Sequence, residues 1–414
     1  MCGPPPAGHL PSGVPPPPFR LVSVKGPLHR PDPPAGPGGS PQAEATRPDR
    51  PSRLRSLLRQ LLFVPDPQIY WIPGAYAAVR RALSGRPADL VMCSGPPFSV
   101  FILGCALKML WRVPLVLDYR DVWQDHPWWP VPRWRRFPEA WLERRLLAAA
   151  DLVLANHDAM LRVFHTRTPW IADRCLVLPN GFDVDELGPP VSPTWRPGQR
   201  FEMVYAGTFY GAVAGVDGRS EPLSVERPSG LLGALRVLSD RGAFGAGGMR
   251  VTFVGAKQGT DESANIRDCA RACGVADSVE VLPRMDKSEV VPILRRAHLL
   301  LNLCYYTEVQ VTQKVYDYLH LEIPILSLLR DSETNASVVR RARAGPVVDP
   351  ADTPGIASAI ESILLEYDAG RSPISSDRTF IDQFAVRAQV RLLDSRLRAL
   401  VERRGRRPGR PDGA

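Results

Sequence analysis

The chain has 414 residues, 44% of them apolar, and a formal charge of +9 from 52 Lys and Arg against 43 Asp and Glu. That length exceeds one ordinary core and calls for two domains of roughly 150–200 residues each. The N-terminus shows no basic region followed by an apolar core, and the longest apolar run, FSVFILGCALKMLW at 98–111, is too short and carries Lys108, which argues against a secretory signal and a membrane span.

Many of the 44 prolines crowd into the first fifty residues, so residues 1–54 are expected to be mostly disordered, with one strand in FRLVSVKG. The seven cysteines are scattered without a Cys-x-x-Cys pair, as in a cytoplasmic protein that keeps its thiols reduced, and they offer no zinc site. From residue 55 short apolar runs alternate with segments of helical period, the pattern of parallel sheets with crossover helices. ADLVMCS, VPLVLD, DLVLAN and CLVLPNG read as strands of a first domain, 55–180. Its helices are SVFILGCALKML and PEAWLERRLLAAA, the second with Pro138 and Glu139 in its first turn. Asn180-Gly181 is a turn signal, and a polar, Pro-rich linker follows it. A second domain, 181–378, restarts the alternation with FEMVYAG, RVTFVGA, SVEVLP, HLLLNLC, IPILSLL and GPVVDP. Ser229 and Ser288 are the expected N-caps of two of its helices. A helix over 379–402 and a basic, frayed tail over 403–414 close the chain.

Two doubly wound sheets in tandem place ligands at the carboxyl ends of their strands, so the polar residues there are the candidates. Ser94 and Gly95 follow the first strand, where a Ser-Gly turn holds an anion or a sugar hydroxyl, or simply starts a helix. Asp118, Arg120 and Asp121 follow the second: three charges in four residues at a sheet's edge point to a site, with a buried Asp–Arg pair fixing the loop as the plainer alternative. His157 follows the third, where a lone histidine is more often structural. In the second domain Gly207 and Lys257 follow strands and suit a phosphate. Thr312 opens a helix at its N-cap, so the helix start and Lys314 face a diphosphate together, and Asp317 lies one turn on, where a carboxylate accepts ribose hydroxyls. A surface helix with a solvated Lys and Asp is the competing reading.

The basic excess suits nucleic acid, an anionic membrane or phosphorylated ligands. Between Trp128 and Arg145, four tryptophans interleave with five arginines. Indoles prefer the membrane interface and arginines its anionic head groups, so this stretch is the candidate for a peripheral membrane contact. Single-stranded nucleic acid and inward-packed tryptophans are its rivals, and no nucleic acid is expected overall.

The order SGPP, LDYRDVW, ADLVLANHD, LVLPNGFD, VYAGTFYG, VTFVGA and QKVYDYLHLEIPIL, over about residues 60–365, resembles glycosyltransferase family 4. The resemblance implies a GT-B fold, two Rossmann-like domains facing across a cleft, with the C-terminal helix crossing back onto the first. It also implies a nucleotide-sugar donor held by the second domain, a lipid-linked or glycan acceptor, retention of configuration, and neither metal nor other cofactor. Lys314 matches the family's K-x-x-E-Y lysine, and Asp317 stands where that motif has a ribose-binding glutamate. Arg227 is the best match for the family arginine that neutralises the leaving diphosphate, and the lysine that usually follows it has no counterpart. An acidic residue expected eight positions before Asp317 is Val309 here, beside Glu308. The family's first strand and Gly-rich loop have no counterpart either, so either the start codon is wrongly chosen or the first sheet lacks that strand. The implied setting is cell-envelope polysaccharide synthesis at the cytoplasmic membrane face. A GT-B protein that binds a nucleotide or partner without catalysis, and a sugar-nucleotide epimerase, are the alternatives.

Overall fold

The computed structural model describes residues 64–83, 88–124, 133–207, 213–214, 220–221, 228–256, 261–303, 311–329 and 334–405. The expected strand in FRLVSVKG and the tail from 406 lie outside them.

In the first half a 3-10 turn at Pro67–Trp71 leads into α1 (Ile72–Ala82). Then β1 (Val91–Gly95), α2 (Ser99–Trp111), β2 (Leu115–Tyr119), α3 (Arg133–Ala149), β3 (Leu152–Ala155), α4 (Asp158–Arg167) and β4 (Cys175–Val177) alternate. The strands form a parallel four-stranded sheet in the order β1-β2-β3-β4. Strands added in sequence by right-handed crossovers put their helices on one face of the sheet. That face carries the larger core, with Phe101, Leu117, Leu147, Val153 and Met160 buried. Val116, Leu152, Leu154 and Leu178 point the other way and need cover from elsewhere in the chain.

The second half runs α5 (Val184–Leu187), β5 (Phe201–Ala206), the two-residue strands β6 (Val213–Ala214) and β7 (Ser220–Glu221), α6 (Ser229–Asp240) and β8 (Met249–Ala256). It continues with α7 (Asp261–Ala272), β9 (Val279–Pro283), α8 (Lys287–Leu294), β10 (Leu299–Leu303), α9 (Gln313–Leu321), β11 (Ile325–Leu328), α10 (Thr334–Arg341), β12 (Val347–Val348) and α11 (Thr353–Asp368). Its six-stranded parallel sheet has the order β12-β11-β10-β5-β8-β9. Here the winding reverses between β5 and β10, so helices cover both faces, each with its own apolar cluster. The reversal also opens a crevice at the carboxyl ends of β5 and β10.

The chain ends with α12 (Arg378–Asp382) and α13 (Val386–Gly405). Leu393, Leu397 and Leu400 of α13 pack on Val116, Leu152, Leu154 and Leu178. The last helix therefore crosses back and covers the face that the first sheet's own helices leave bare.

Three local expectations are corrected. Helix α3 begins at Arg133, so Pro138 lies inside it and not in its first turn. The Arg135–Glu139 ion pair spans the proline and holds the preceding turn in helical register. The N-cap of α8 is Asp286, not Ser288, because a carboxylate there forms a capping box with Glu289, whose Oε2 accepts from Asp286 N at 3.0 Å. Ser229 is the first residue of α6, with Pro228 at the N-cap.

Candidate active site

The acid and guanidinium of the first domain are assembled across strands. Ser94 on β1 and Asp118 on β2 are register partners, so their side chains stand side by side on one face. Ser94 Oγ donates to Asp118 Oδ2 at 2.8 Å, and Arg120 Nε donates to the same oxygen at 2.9 Å. Asp118 is only 4% exposed, and its Oδ1 is buried without a hydrogen-bond partner. The loop holding Arg120 is fixed from two sides: its N–H donates to Gly95 O at 2.9 Å, and Asn156 Nδ2 donates to its carbonyl. Asp121, next along, is half-buried, and burial pushes its carboxyl above the usual range.

The network continues into the segment that joins the domains. Arg120 Nη1 donates to Leu178 O at 3.2 Å and reaches Asn180 Oδ1 at 3.5 Å. Asn180 Nδ2 in turn donates to Val311 O at 3.4 Å, and Gln313 Nε2 donates to Gly181 O. Gln389 of α13 donates to Asn180 O at 3.2 Å. A Cβ on Gly181 would sit 2.3 Å from Phe384 O and 2.7 Å from Gln389 Nε2, so only glycine lets the chain pass this close to the start of α13. The end of β2 is thus tied, through Asn180, to the residues that open α9.

Lys314 of α9 stands at the crevice of the second sheet. Its Nζ donates to Leu303 O, at the end of β10, at 3.0 Å, and lies 4.0 Å from the ring centroid of Tyr205 on β5. Gly207 caps β5 with φ +151, and a Cβ there would come within 3.2 Å of that Nζ and 3.0 Å of Tyr205 Oη. Only glycine lets the backbone approach the ammonium so closely. The helix is anchored from beneath: Tyr318 Oη accepts from Ala206 N at 2.9 Å, and Val315, Tyr316 and Leu319 are buried.

The structure brings Ser94, Asp118 and Arg120 together, and Gly207 with Lys314. Thr312 occupies the N-cap of α9, yet its hydroxyl makes no capping bond; Oγ1 is buried and unpartnered, while its N–H donates to Asn335 Oδ1 at 3.2 Å. Asp317 is not a solvated surface acid. It is 8% exposed and accepts from Lys287 Nζ at 3.3 Å, and that lysine also pairs with Glu186 at 2.7 Å. Burial raises the Asp317 carboxyl, while Lys287 and Gln313 pull it down. His157 takes the structural role: its Nδ1 accepts from Ala159 N at 3.1 Å as the N-cap of α4, and burial lowers its proton affinity. Gly95 packs tightly, since a Cβ there would meet Phe101 at 2.9 Å. Arg227, Lys257, Glu308 and Val309 lie outside the described residues, as do Trp128 and Trp129. Among the described residues no group of three metal-ligating side chains occurs, and no helix is long and apolar enough to cross a membrane.

Sequence reasoning missed Tyr205 and Lys287, and read Asn180 only as a turn. Tyr205 lies within an apolar strand run and Lys287 beside a helix start, so neither position by itself marks a site.

Residues 34–186 match Glycosyltransferase Family 4. Sucrose-phosphate synthase from Thermosynechococcus elongatus superimposes with a TM-score of 0.58 at 14% identity, over 81% of this chain and 80% of that one. Anabaena HepE, solved with UDP-glucose, gives 0.55 at 15% identity, over 83% and 84%. A glycosyltransferase from Rickettsia africae gives 0.57 at 9% identity, over 80% and 82%. No curated protein matches the sequence. At these identities the likeness to solved structures is one of fold, and the fold is GT-B, as the family resemblance implied.

Proposed function

We propose that the chain is a glycosyltransferase that moves a hexose from a nucleoside-diphosphate sugar to a hydroxyl of a lipid-linked or glycan acceptor, with retention of configuration and without a metal. The observation that carries this reading is the bond chain Asp118–Arg120–Asn180–Val311, which joins the acidic strand end of the first sheet to the helix start bearing Lys314. An ammonium at the switch point, beside a glycine that leaves the backbone open, suits a diphosphate. HepE, of like fold, was solved with UDP-glucose.

In this reading the bond between the anomeric carbon and the diphosphate oxygen breaks, and the nucleotide leaves with the electron pair. Lys314 and the first N–H groups of α9 neutralise it, which replaces the role a divalent cation would play. The acceptor hydroxyl attacks the same face of the sugar, and its proton passes to the Asp121 carboxylate, whose raised proton affinity suits a base. Asp118, buried and bound by Ser94 and Arg120, fixes the loop that presents Asp121. Asp317, held by Lys287, receives the ribose. An envelope-polysaccharide acceptor at the cytoplasmic membrane face fits this chemistry.

The test is nucleotide-sugar turnover by the purified chain with an acceptor extract, comparing it with Lys314→Ala and Asp121→Ala. Turnover that both substitutions abolish supports the reading; unchanged rates in both would refute it. Donor consumed without any acceptor would mean isomerisation of the sugar nucleotide instead.

A further inference from the structure

The outward face of α3 inverts the ordinary arrangement of a surface helix. At about 100° per residue, Trp134, Phe137, Trp141, Arg144, Arg145 and Ala148 fall in one stripe about 100° wide. Every one of these six is exposed, Phe137 by 81% and Trp141 by 55%. Both carboxylates of the helix turn the other way: Glu139 and Glu143 are buried, Glu139 against Arg135 and the indole N–H of Trp123 at 2.9 Å. The solvent face therefore holds large aromatics and arginines and no acid. Trp170, 47% exposed on the 3-10 turn Pro169–Arg174, adds a second wall. Between it and the helix lies a groove of about 540 Å³.

Two details decide what such a face takes. The Arg144 guanidinium lies 5.1 Å over the Trp170 ring and that of Arg145 lies 5.3 Å over Trp141. Each arginine covers an indole face, so those faces are not open for bases to stack on, as single-stranded nucleic acid needs. Indole edges and guanidinium groups held at one level suit the head-group layer of an anionic bilayer, with Phe137 reaching deeper.

We infer that the α3 face, with Trp170, is a docking surface for an anionic phospholipid bilayer. This goes beyond the transferase reading and stands whether or not the cleft transfers a sugar. Its placement has a consequence for that cleft. Helix α3 follows the loop that bears Arg120 and Asp121, and the Trp123–Glu139 bond ties this loop to the buried side of the helix. Docking through α3 would bring the acceptor side of the cleft to the lipid surface.

The experiment is co-sedimentation of the full chain with vesicles of phosphatidylcholine alone and of phosphatidylcholine mixed with phosphatidylglycerol. The expected result is binding to the mixed vesicles only, weakened by added salt. Arg144→Ser with Arg145→Ser should weaken it about thirtyfold. Phe137→Ser with Trp141→Ser should abolish the quenching of tryptophan fluorescence by brominated lipid. An unchanged melting temperature in both double variants shows that they fold. Equal pelleting with neutral vesicles, no pelleting with either, or full binding by both variants would overturn the inference. So would single-stranded RNA binding that the same variants lose while vesicles bind none of the proteins.

Discussion

The two sheets build their polar ends by different means. In the six-stranded sheet the reversal of winding between β5 and β10 opens a crevice, where among the described residues Lys314 stands beside Tyr205 and Gly207. Among the described residues the four-stranded sheet winds in one direction, with no reversal to open such a crevice. Its polar end is made by side chains in register, Ser94 beside Asp118, with Arg120 binding the same oxygen. Under the proposed function the crevice made by topology is the donor side, recognising by backbone shape and the Lys314 charge. Under the same proposal the side-chain assembly of the first sheet is the acceptor side, which substitution can redesign.

If that division holds, the largest effect should come from Lys314, whose charge stands in the crevice. Lys314→Ala is expected to lower transfer about 10²–10³-fold, the cost of removing one group that stabilises developing charge, with little change in melting temperature. Steady-state kinetics checks it. Next comes the buried pair of the first sheet. Arg120→Ala strands the buried Asp118 carboxylate with only Ser94 as partner, and should lower stability to urea by about 3 kcal/mol. Asp118→Asn should cost less, because Arg120 keeps Leu178 O and Asn180, and its side chain is 31% exposed. Equal losses would remove the asymmetry argued for this pair.

Gly207→Ala tests the backbone contribution to the crevice. The substitution forces a Cβ toward Lys314 at φ +151 and should cost about 1–3 kcal/mol, along with nucleotide binding. The smallest effect, and the one with a sign to check, belongs to Asp121. Its carboxyl holds a proton more tightly when folded than when unfolded, so its contribution to stability is full below the unfolded value and is lost as pH rises through the folded one. Asp121→Asn should therefore be slightly more stable than the parent at neutral pH, and the difference should close on acidification. The same raised affinity places the acid limb of the transfer rate above the ordinary carboxylate range.

The sequence made some of this legible and hid the rest for physical reasons. Alternating strands and helices, and the closing helix, are periodic signals that survive in one dimension. Asp118 and Arg120 stood out because charge at the end of an apolar strand must be paired or used. Nothing in the chain near residue 94 announces that Ser94 stands beside Asp118, since register is a property of two strands. Nor does residue 314 announce Tyr205, which comes from the other side of the winding reversal. His157 was a fair candidate by position, and the hydrogen bond its Nδ1 accepts from Ala159 gives it a cap's role. The pairing of Asp317 with Lys287 is equally hidden, because Lys287 lies thirty residues away along the chain and only the fold brings them together.

The most direct test of the division between the sheets is the thermal shift caused by UDP, GDP, ADP, CMP and dTDP on the parent chain, Lys314→Ala and Asp121→Asn. A nucleotide at a hundred times its dissociation constant adds about 2.7 kcal/mol, which a melting curve resolves. The account predicts a shift with one of these nucleotides in the parent, its loss in Lys314→Ala, and its full retention in Asp121→Asn although transfer is gone. A shift that survives in Lys314→Ala, or one that Asp121→Asn loses, would contradict it.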